Sequence, residues 1–394
     1  MTQLQATQVQ VTQVQASQGQ TRTTATSVSP MPQVHDLIAR GLRPHVEAID
    51  HGQYPASFMR ELGALGGFRQ AVPREYGGAG RGLAGTLEVM EAVAAECLST
   101  GFCVWCQTVS AWYVQSSDNE HLKREWLPAM MQGERLAGTG MSNPMKHFAG
   151  IEKLRLKATP TQGGYLLSGA LPWVSNVGAG STFAVVAQLE GGAGDSLTAD
   201  YLMAMVAGDQ PGLTLGDGGR FIALEGSSTY NAVFREVFIP DDQVLAKPCQ
   251  EYIGRIRPGF ILAQSGFGLG LVAGCLERME RSNERAGHVN RYLDDGVEEL
   301  GADYREARRR TFVLAEQIGC GGVPLGPEAT HEAVACRILA SELSLRASQA
   351  AMLHAGAAGY KAGAVTERKL RESYFVAIVT PALKHLKKLQ ASWS

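Results

Sequence analysis

Residues 138 to 176 constrain this chain more than any other stretch. The block opens Gly138-Thr139-Gly140-Met141-Ser142-Asn143-Pro144 and closes Gly164-Tyr165-Leu166-Leu167-Ser168-Gly169-Ala170-Leu171-Pro172-Trp173-Val174-Ser175-Asn176. Between them Leu154-Arg155-Leu156-Lys157-Ala158 alternates apolar and polar residues with period two, and Gly163-Gly164 turns the chain back into Tyr165-Leu166-Leu167. That pattern predicts a β-hairpin with a loop at each end. The loops carry the chemistry. Met141-Ser142 offers backbone N–H groups and a hydroxyl just before a proline, and Trp173-Val174-Ser175 offers an indole face and a hydroxyl two residues apart. Alternate residues of an extended segment share a face, so Trp173 and Ser175 can address one planar ligand together. An aromatic face with adjacent donors suits a polar heteroaromatic ring. A core tryptophan beside a turn serine would read the same way.

The flanks have a different texture. Residues 1–30 are almost entirely Gln, Thr, Ser, Val and Ala, with Thr-Gln-Val-Gln recurring at Thr7 and Thr12. Such a low-complexity tail cannot bury a core and is expected to be disordered. Residues 31–135 read as helical. Tyr54-Pro55 begins one helix and Gly66-Gly67 ends it, Val72-Pro73 to Gly80 forms a loop, and a long helix follows near 83–97. Residues 136–246 continue the strand pattern at 183–187, 201–206 and 230–239, each bounded by Gly, Asp or Pro. Residues 247–394 return to helix. The expected fold class is therefore α+β and mostly α, with an N-terminal helical domain, a small central β-barrel or sandwich domain and a C-terminal helical bundle. At 394 residues the chain exceeds the roughly 250–300 at which single cores usually divide.

Composition removes several function classes. A formal net charge of -2 gives no electrostatic case for nucleic acid or an anionic membrane as partner. No apolar run reaches the ~18 residues of a membrane span, and the N-terminus is polar rather than signal-like. Cys97, Cys103 and Cys106 form the one cluster among seven cysteines, without the second pair or histidines a zinc site needs. They read as small core residues, no metal is expected, and scattered free thiols fit a cytoplasmic location. Gly266-Phe267-Gly268-Leu269-Gly270 and Gly274 look like a dinucleotide loop, but no strand precedes them, so they are read as aids to close helix packing. Arg305, Arg308, Arg309 and Arg310 with Glu306 read as a solvated helix face.

Set beside a known family, the central block gains a sharper meaning. Ser142-x-Pro144 followed by Gly-Tyr-x-Leu-x-Gly-x-x-x-Trp-Val-Ser-Asn resembles the flavin-binding middle domain of the acyl-CoA dehydrogenase family, which carries Thr-Glu-Pro and Gly-x-Lys-x-Trp-Ile-Thr-Asn. Val72-Pro73-Arg74-Glu75-Tyr76-Gly77-Gly78-Ala79-Gly80 resembles its N-terminal Pro-x-x-Tyr-Gly-Gly-x-Gly signature. Val237-Phe238-Ile239-Pro240-Asp241-Asp242 resembles the exit from its β domain. The resemblance implies that Met141 and Ser142 contact the pyrimidine edge of FAD, that Trp173 lies against the ring system and that Ser175 donates towards N5. It implies that His354-Ala355-Gly356-Ala357-Ala358-Gly359-Tyr360 is a pyrophosphate loop, in which Gly356 and Gly359 serve FAD bound mainly by another subunit, so that a homodimer or tetramer is expected. Arg285 matches an arginine that reaches the pyrophosphate in relatives. Phe102, Trp105, Trp112 and Tyr113 are spaced for the inward face of a helix and read as core, with the alternative that one of them lines an acyl pocket.

The same resemblance exposes departures. Ala357 replaces a glycine, Leu353 stands where a glutamine is usual with Gln349 one turn earlier, and Ala286-Gly287-His288 follows Arg285 where relatives continue to Phe-Gly. Met145-Lys146-His147-Phe148 replaces Gly-x-Gly-Ser-Asp, in a loop that helps hold flavin and CoA. Desaturating a thioester needs a carboxylate to take the α-proton while the β-hydride leaves. The family's glutamate position is Thr380, in Thr380-Pro381-Ala382, and the alternative position aligns with Pro258-Gly259. Glu372 matches a structural aspartate, and Glu251 lies upstream of the helix. The catalytic base is thus unassigned. The leading expectation is an FAD-dependent oxidoreductase acting on an acyl-CoA or related small molecule, passing electrons to an acceptor. The alternative is a flavin monooxygenase on the same scaffold, reduced by a flavin reductase, and a third is a flavin-binding scaffold without turnover.

Overall fold

The computed structural model describes residues 29–190, 200–321 and 325–393. The expected low-complexity tail falls almost wholly outside the described residues.

Among the described residues seven α-helices precede the sheet: α1 (Met31–Leu37), α2 (Val46–Asp50), α3 (Ala56–Ala64), α4 (Gly82–Glu96), α5 (Leu98–Ser116), α6 (Glu120–Glu125) and α7 (Leu127–Met131). Two of the short ones show recognisable ends. Asn119 accepts the Leu122 amide hydrogen through its side chain to open α6, and Gly66 adopts a left-handed conformation after α3. Every residue of α5 is buried, because neighbours cover it on all sides rather than on one stripe.

The strands are β1 (Ala137–Thr139), β2 (Leu156–Thr161), β3 (Gly164–Val174), β4 (Thr182–Leu189), β5 (Tyr201–Ala207), β6 (Leu213–Asp217), β7 (Tyr230–Pro240) and β8 (Val244–Ala246), with α8 (Ser142–Phe148) between β1 and β2. They form one eight-stranded sheet in the order β6-β7-β3-β2-β4-β5-β8, with β1 parallel to β4. The β2–β3 hairpin forms in the expected register, Ala158 opposite Leu167. Inward residues such as Leu167, Leu171, Phe183, Val185 and Phe234 make a core separate from the helical one.

The remaining helices are α9 (Gln250–Asn290), α10 (Val297–Ile318), α11 (Pro327–Ala355), α12 (Val365–Ile378) and α13 (Leu383–Ala391). At 1.5 Å per residue α9 is about 60 Å long. It contains an apolar window of membrane-spanning length, which amends the expectation from sequence, but 94% of that window is buried inside the protein. The glycines of α9 act as read from the sequence. A Cβ on Gly270 would lie 2.4 Å from the Glu91 carbonyl and one on Gly274 2.3 Å from that of Ala95, both in α4. Only glycine lets the two backbones approach so closely.

The arginine run on α10 is less free than its composition suggests. Arg308 binds Glu91, Arg309 binds Glu306 and Arg310 binds Glu332. All seven cysteines are free thiols, and Cys97, Cys103 and Cys106 are buried. Burial raises each of those three thiols above its ordinary pKa, which makes them poor thiolates, and no metal-ligating cluster occurs among the described residues.

Candidate functional site

A cleft of about 350 Å³ opens between the end of β3, the start of α8, the loop at 221–229 and the inner faces of α5, α9 and α12. Four residues expected at the ligand, Met141, Ser142, Trp173 and Ser175, all line it. The route by which the last two meet differs from the expectation. Trp173 has φ +58, and the β3–β7 register slips between Leu171 and Val174. One extra residue on β3 is a bulge, so plain alternation does not bring the indole and hydroxyl together. A bulky residue at positive φ is held in a conformation costing on the order of 1–3 kcal/mol. The bulge leaves Trp173 53% exposed on the cleft while Val174 stays in the core.

The hydroxyl at 175 is oriented by its neighbours. Thr229 Oγ1 donates to Ser175 Oγ at 2.8 Å, and Ser227 Oγ lies 2.8 Å from Thr229 Oγ1. Because Ser175 accepts from Thr229, its own hydrogen remains available for a ligand. Behind it Asn176 adopts φ +59, donates through Nδ2 to the Ala137 carbonyl and accepts from the Tyr54 hydroxyl at 2.6 Å. The last residue of Trp-Val-Ser-Asn is therefore a clamp between β1 and the connection from α2 to α3. Gly138 completes the corner, since a Cβ there would lie 2.1 Å from the Ser175 carbonyl.

The stretch from Ser142 to Phe148 is helical rather than a loop. Pro144 falls in the first turn of α8, where backbone N–H groups lack intrahelical partners anyway. Asn143 binds the Glu152 carboxylate, the Lys153 carbonyl and the Arg155 amide, which pins the following segment. His147 is half-buried away from the cleft, with Nε2 3.1 Å from the Tyr201 hydroxyl.

Thr380, at the position expected for a base, does line the cleft. Its Oγ1 lies 2.9 Å from Ser142 Oγ. Glu372 is elsewhere. Fully buried, it accepts the Leu98 amide hydrogen at 3.3 Å at the start of α5. Glu251 lines a separate groove with Lys247 and Arg255. Among the described residues, none lining the cleft is a carboxylate.

The far wall is aromatic. Phe102 stacks on Trp105 at 5.5 Å, Trp105 meets Phe260 at 5.2 Å, and Phe102 meets Phe375 at 4.6 Å. Both Phe102 and Trp105 border the cleft, while Trp112 and Tyr113 belong to the core. Phe260, Thr229 and the α12 residues Tyr374 and Ile378 carry no signal in the sequence, whereas Arg371 stands in the Arg371-Glu372 pair that resembles the family's Arg-Asp helix. Only a residue pattern spanning more than two hundred positions could have joined them. Arg371 is held by Asp50 and Glu367, whose hydrogen bonds raise its pKa further.

Arg285, Gly356 and Gly359 do not border the cleft. They lie where the ends of α9 and α11 meet, joined by Asn290 Nδ2 donating to the His354 carbonyl at 3.2 Å.

The comparisons agree with this architecture. Residues 31–134 match the model "Acyl-CoA dehydrogenase, N-terminal domain". The chain is 25% identical over 368 residues to an acyl-CoA dehydrogenase of Bacillus subtilis, covering 89% of this chain and 93% of that one. A solved glutaryl-coenzyme A dehydrogenase–glutaryl-CoA complex superposes with a TM-score of 0.82 at 19% identity, covering 92% of this chain and 93% of the other. An acyl-CoA dehydrogenase of Bacillus anthracis complexed with FAD gives 0.79 at 16% identity, with coverage of 92% and 67%. Helices, an eight-stranded sheet and a second set of helices around one cleft are the arrangement these solved structures share with the chain. Over most of its length the chain is similar to acyl-CoA dehydrogenases, and residues 31–134 match the N-terminal domain of that family.

Proposed function

We propose that this protein is an FAD-dependent oxidoreductase that acts on an acyl-CoA or related small substrate without a carboxylate at the family's base position. One observation carries this reading: Thr380, bonded to Ser142, lines the same cleft as the exposed indole of Trp173.

The residues suit a flavin. Trp173 presents an open aromatic face, Ser175 keeps a hydrogen to donate, and the apolar wall excludes water from the reacting region. When bound, FAD supplies a two-electron acceptor. The chain's own part is to hold the ring against the indole and direct the Ser175 hydrogen to its edge. A threonine hydroxyl cannot hold a proton as a carboxylate does, so residue 380 positions rather than abstracts. A redox partner removes the electrons, and the free thiols accord with a cytoplasmic setting.

The carboxylate-free lining also favours a second reading, oxygenation of a small substrate by the same cofactor with electrons from a flavin reductase. One pair of measurements separates the two. In the dehydrogenase reading, a panel of thioesters bleaches the FAD-loaded protein anaerobically, and Thr380→Glu increases the bleaching rate at least tenfold. In the oxygenase reading no thioester bleaches it, and labelled oxygen from O₂ enters a product once a reductase is supplied. A colourless protein that refuses added FAD overturns both.

A further inference from the structure

Beneath the aromatic wall lies a positive charge to which, among the described residues, no carboxylate is bonded. Arg337, on α11, is fully buried. Its Nε donates to Gln264 Oε1 at 2.9 Å, its terminal nitrogens donate to Ser341 Oγ and the Val376 carbonyl, and its Cζ sits 5.7 Å from the Phe267 ring centroid. Every acceptor is neutral. Burial alone draws its pKa down, to about 9, which leaves it charged at neutral pH. An ion taken out of water without a counter-ion carries a penalty of several kcal/mol, so its retention here calls for a reason.

Its route to the cleft is short. Gln264, which accepts from Arg337, donates through Nε2 to the Thr380 carbonyl at 2.8 Å, and the hydroxyl of the same Thr380 reaches Ser142 at 2.9 Å. The other cation of the site, Arg371, is matched by Asp50 and Glu367. No described residue lining the cleft contributes a negative charge. The Arg371 cluster thus holds two carboxylates for one cation, whereas Arg337, bonded to neutral acceptors alone, stands as a positive charge behind a pair of hydroxyls, in surroundings of low dielectric where its field reaches further than in water.

We propose that the cleft selects a substrate bearing a carboxylate, seated on the Ser142–Thr380 hydroxyl pair with Arg337 as its buried counter-charge. This rests on the flavin-cleft reading above and names the substrate class within it. The two hydroxyls use one hydrogen on each other and keep one to donate. The ring wall of Phe102, Trp105, Phe260 and Phe375 accommodates a short apolar or planar body behind the acid. Where relatives are expected to place a carboxylate of their own, this chain leaves the negative charge to the ligand. Arg337 acts through Gln264 and the 376–380 backbone, as a positioning residue.

Benzoate and benzamide share a shape and differ in charge, so they serve as probes on the FAD-loaded full chain, followed by flavin absorbance. Benzoate is expected to bind roughly tenfold or more tightly than benzamide. Arg337→Met should bring that ratio near one while benzamide affinity holds, and Arg337→Lys should restore most of it. Equal affinities in the unmodified protein overturn the proposal, even if Arg337→Met does not fold. So does an unchanged ratio in Arg337→Met, including the case in which only the flavin midpoint potential moves. A yellow protein indifferent to ligand charge removes this inference alone, whereas a protein that refuses FAD removes the flavin reading with it.

Discussion

Trp173 is the residue on which the site turns, and its identity and geometry differ in how far they can be read. The spacing in an extended segment predicts that an indole and a hydroxyl two places on address one ligand, and both do line one cleft, though not by simple alternation. The bulge responsible does not follow from the spacing, because a register slip depends on the partner strand β7, whose pairing with β3 spans some sixty residues of sequence. Asn176 was legible in hindsight, since asparagine tolerates the left-handed conformation it adopts there. Its bond to Tyr54 joins residues 122 apart and leaves no local trace. A half-exposed side chain contributes little to folding, so Trp173→Ala should leave the melting temperature within a few degrees. The same change should weaken FAD binding about tenfold, the scale of one lost aromatic stacking contact. Equilibrium titration of the apoprotein with FAD, beside thermal unfolding, checks both halves. Strong destabilisation with unchanged affinity would show the indole to be core.

Among the elements, α12 shows where sequence reasoning stops. Glu367, Arg368, Lys369, Arg371 and Glu372 look like an exposed charged face, yet Arg368, Lys369 and Glu372 are buried. Their use becomes clear only against the corner between α4 and α5. Lys369 donates to the Ala95 carbonyl at 2.7 Å and Arg368 to that of Glu96 at 2.9 Å, both at the C-terminal end of α4. Glu372 accepts the Leu98 amide hydrogen at the N-terminal end of α5. Cations meet a helix C-terminus and a carboxylate meets an N-terminus, as the helix dipoles favour. The segment that forms α8 reads as a loop in the sequence for a related reason: its proline is tolerable in a helix only because it falls in a first turn. The burial of Glu372 has a pH signature. Desolvation raises its pKa, partly opposed by Arg368 and Lys369, so the native chain holds this proton more tightly than the unfolded one. The stabilisation from that group is complete at and below the ordinary carboxylate value and is lost as pH rises through the raised native value. Glu372→Gln keeps an acceptor for Leu98 and cannot ionise. Urea unfolding at several pH values should show the variant gaining on the unmodified protein as pH climbs above about 4.5. A difference that does not vary with pH, or one of opposite sign, would contradict the assignment.

For the whole molecule, the helix–sheet–helix order was legible because periodicity changes from 3.6 to 2 and back along the chain. How many chains make a working unit was not, because that depends on surfaces rather than on periods. The cleft holds only part of the expected cofactor contacts. Arg285, Gly356 and Gly359 gather at the far ends of α9 and α11, outside it. Around them Val289, Tyr292, Leu353 and Tyr360 are exposed, Tyr360 at 84%. Large apolar residues grouped on one end of a helical bundle are what an interface would bury. A second copy laid on that end would cover them and bring its own glycine loop towards a neighbouring cleft. The expected outcome is a dimer or tetramer by light scattering. Leu353→Lys combined with Tyr360→Asp should shift it towards monomer and weaken FAD binding at least tenfold, with the helical content of each chain unchanged by circular dichroism. A protein that is monomeric at micromolar concentration and holds FAD fully would place the whole cofactor site within one chain. Arg285, Gly356 and Gly359 would then have no part in it.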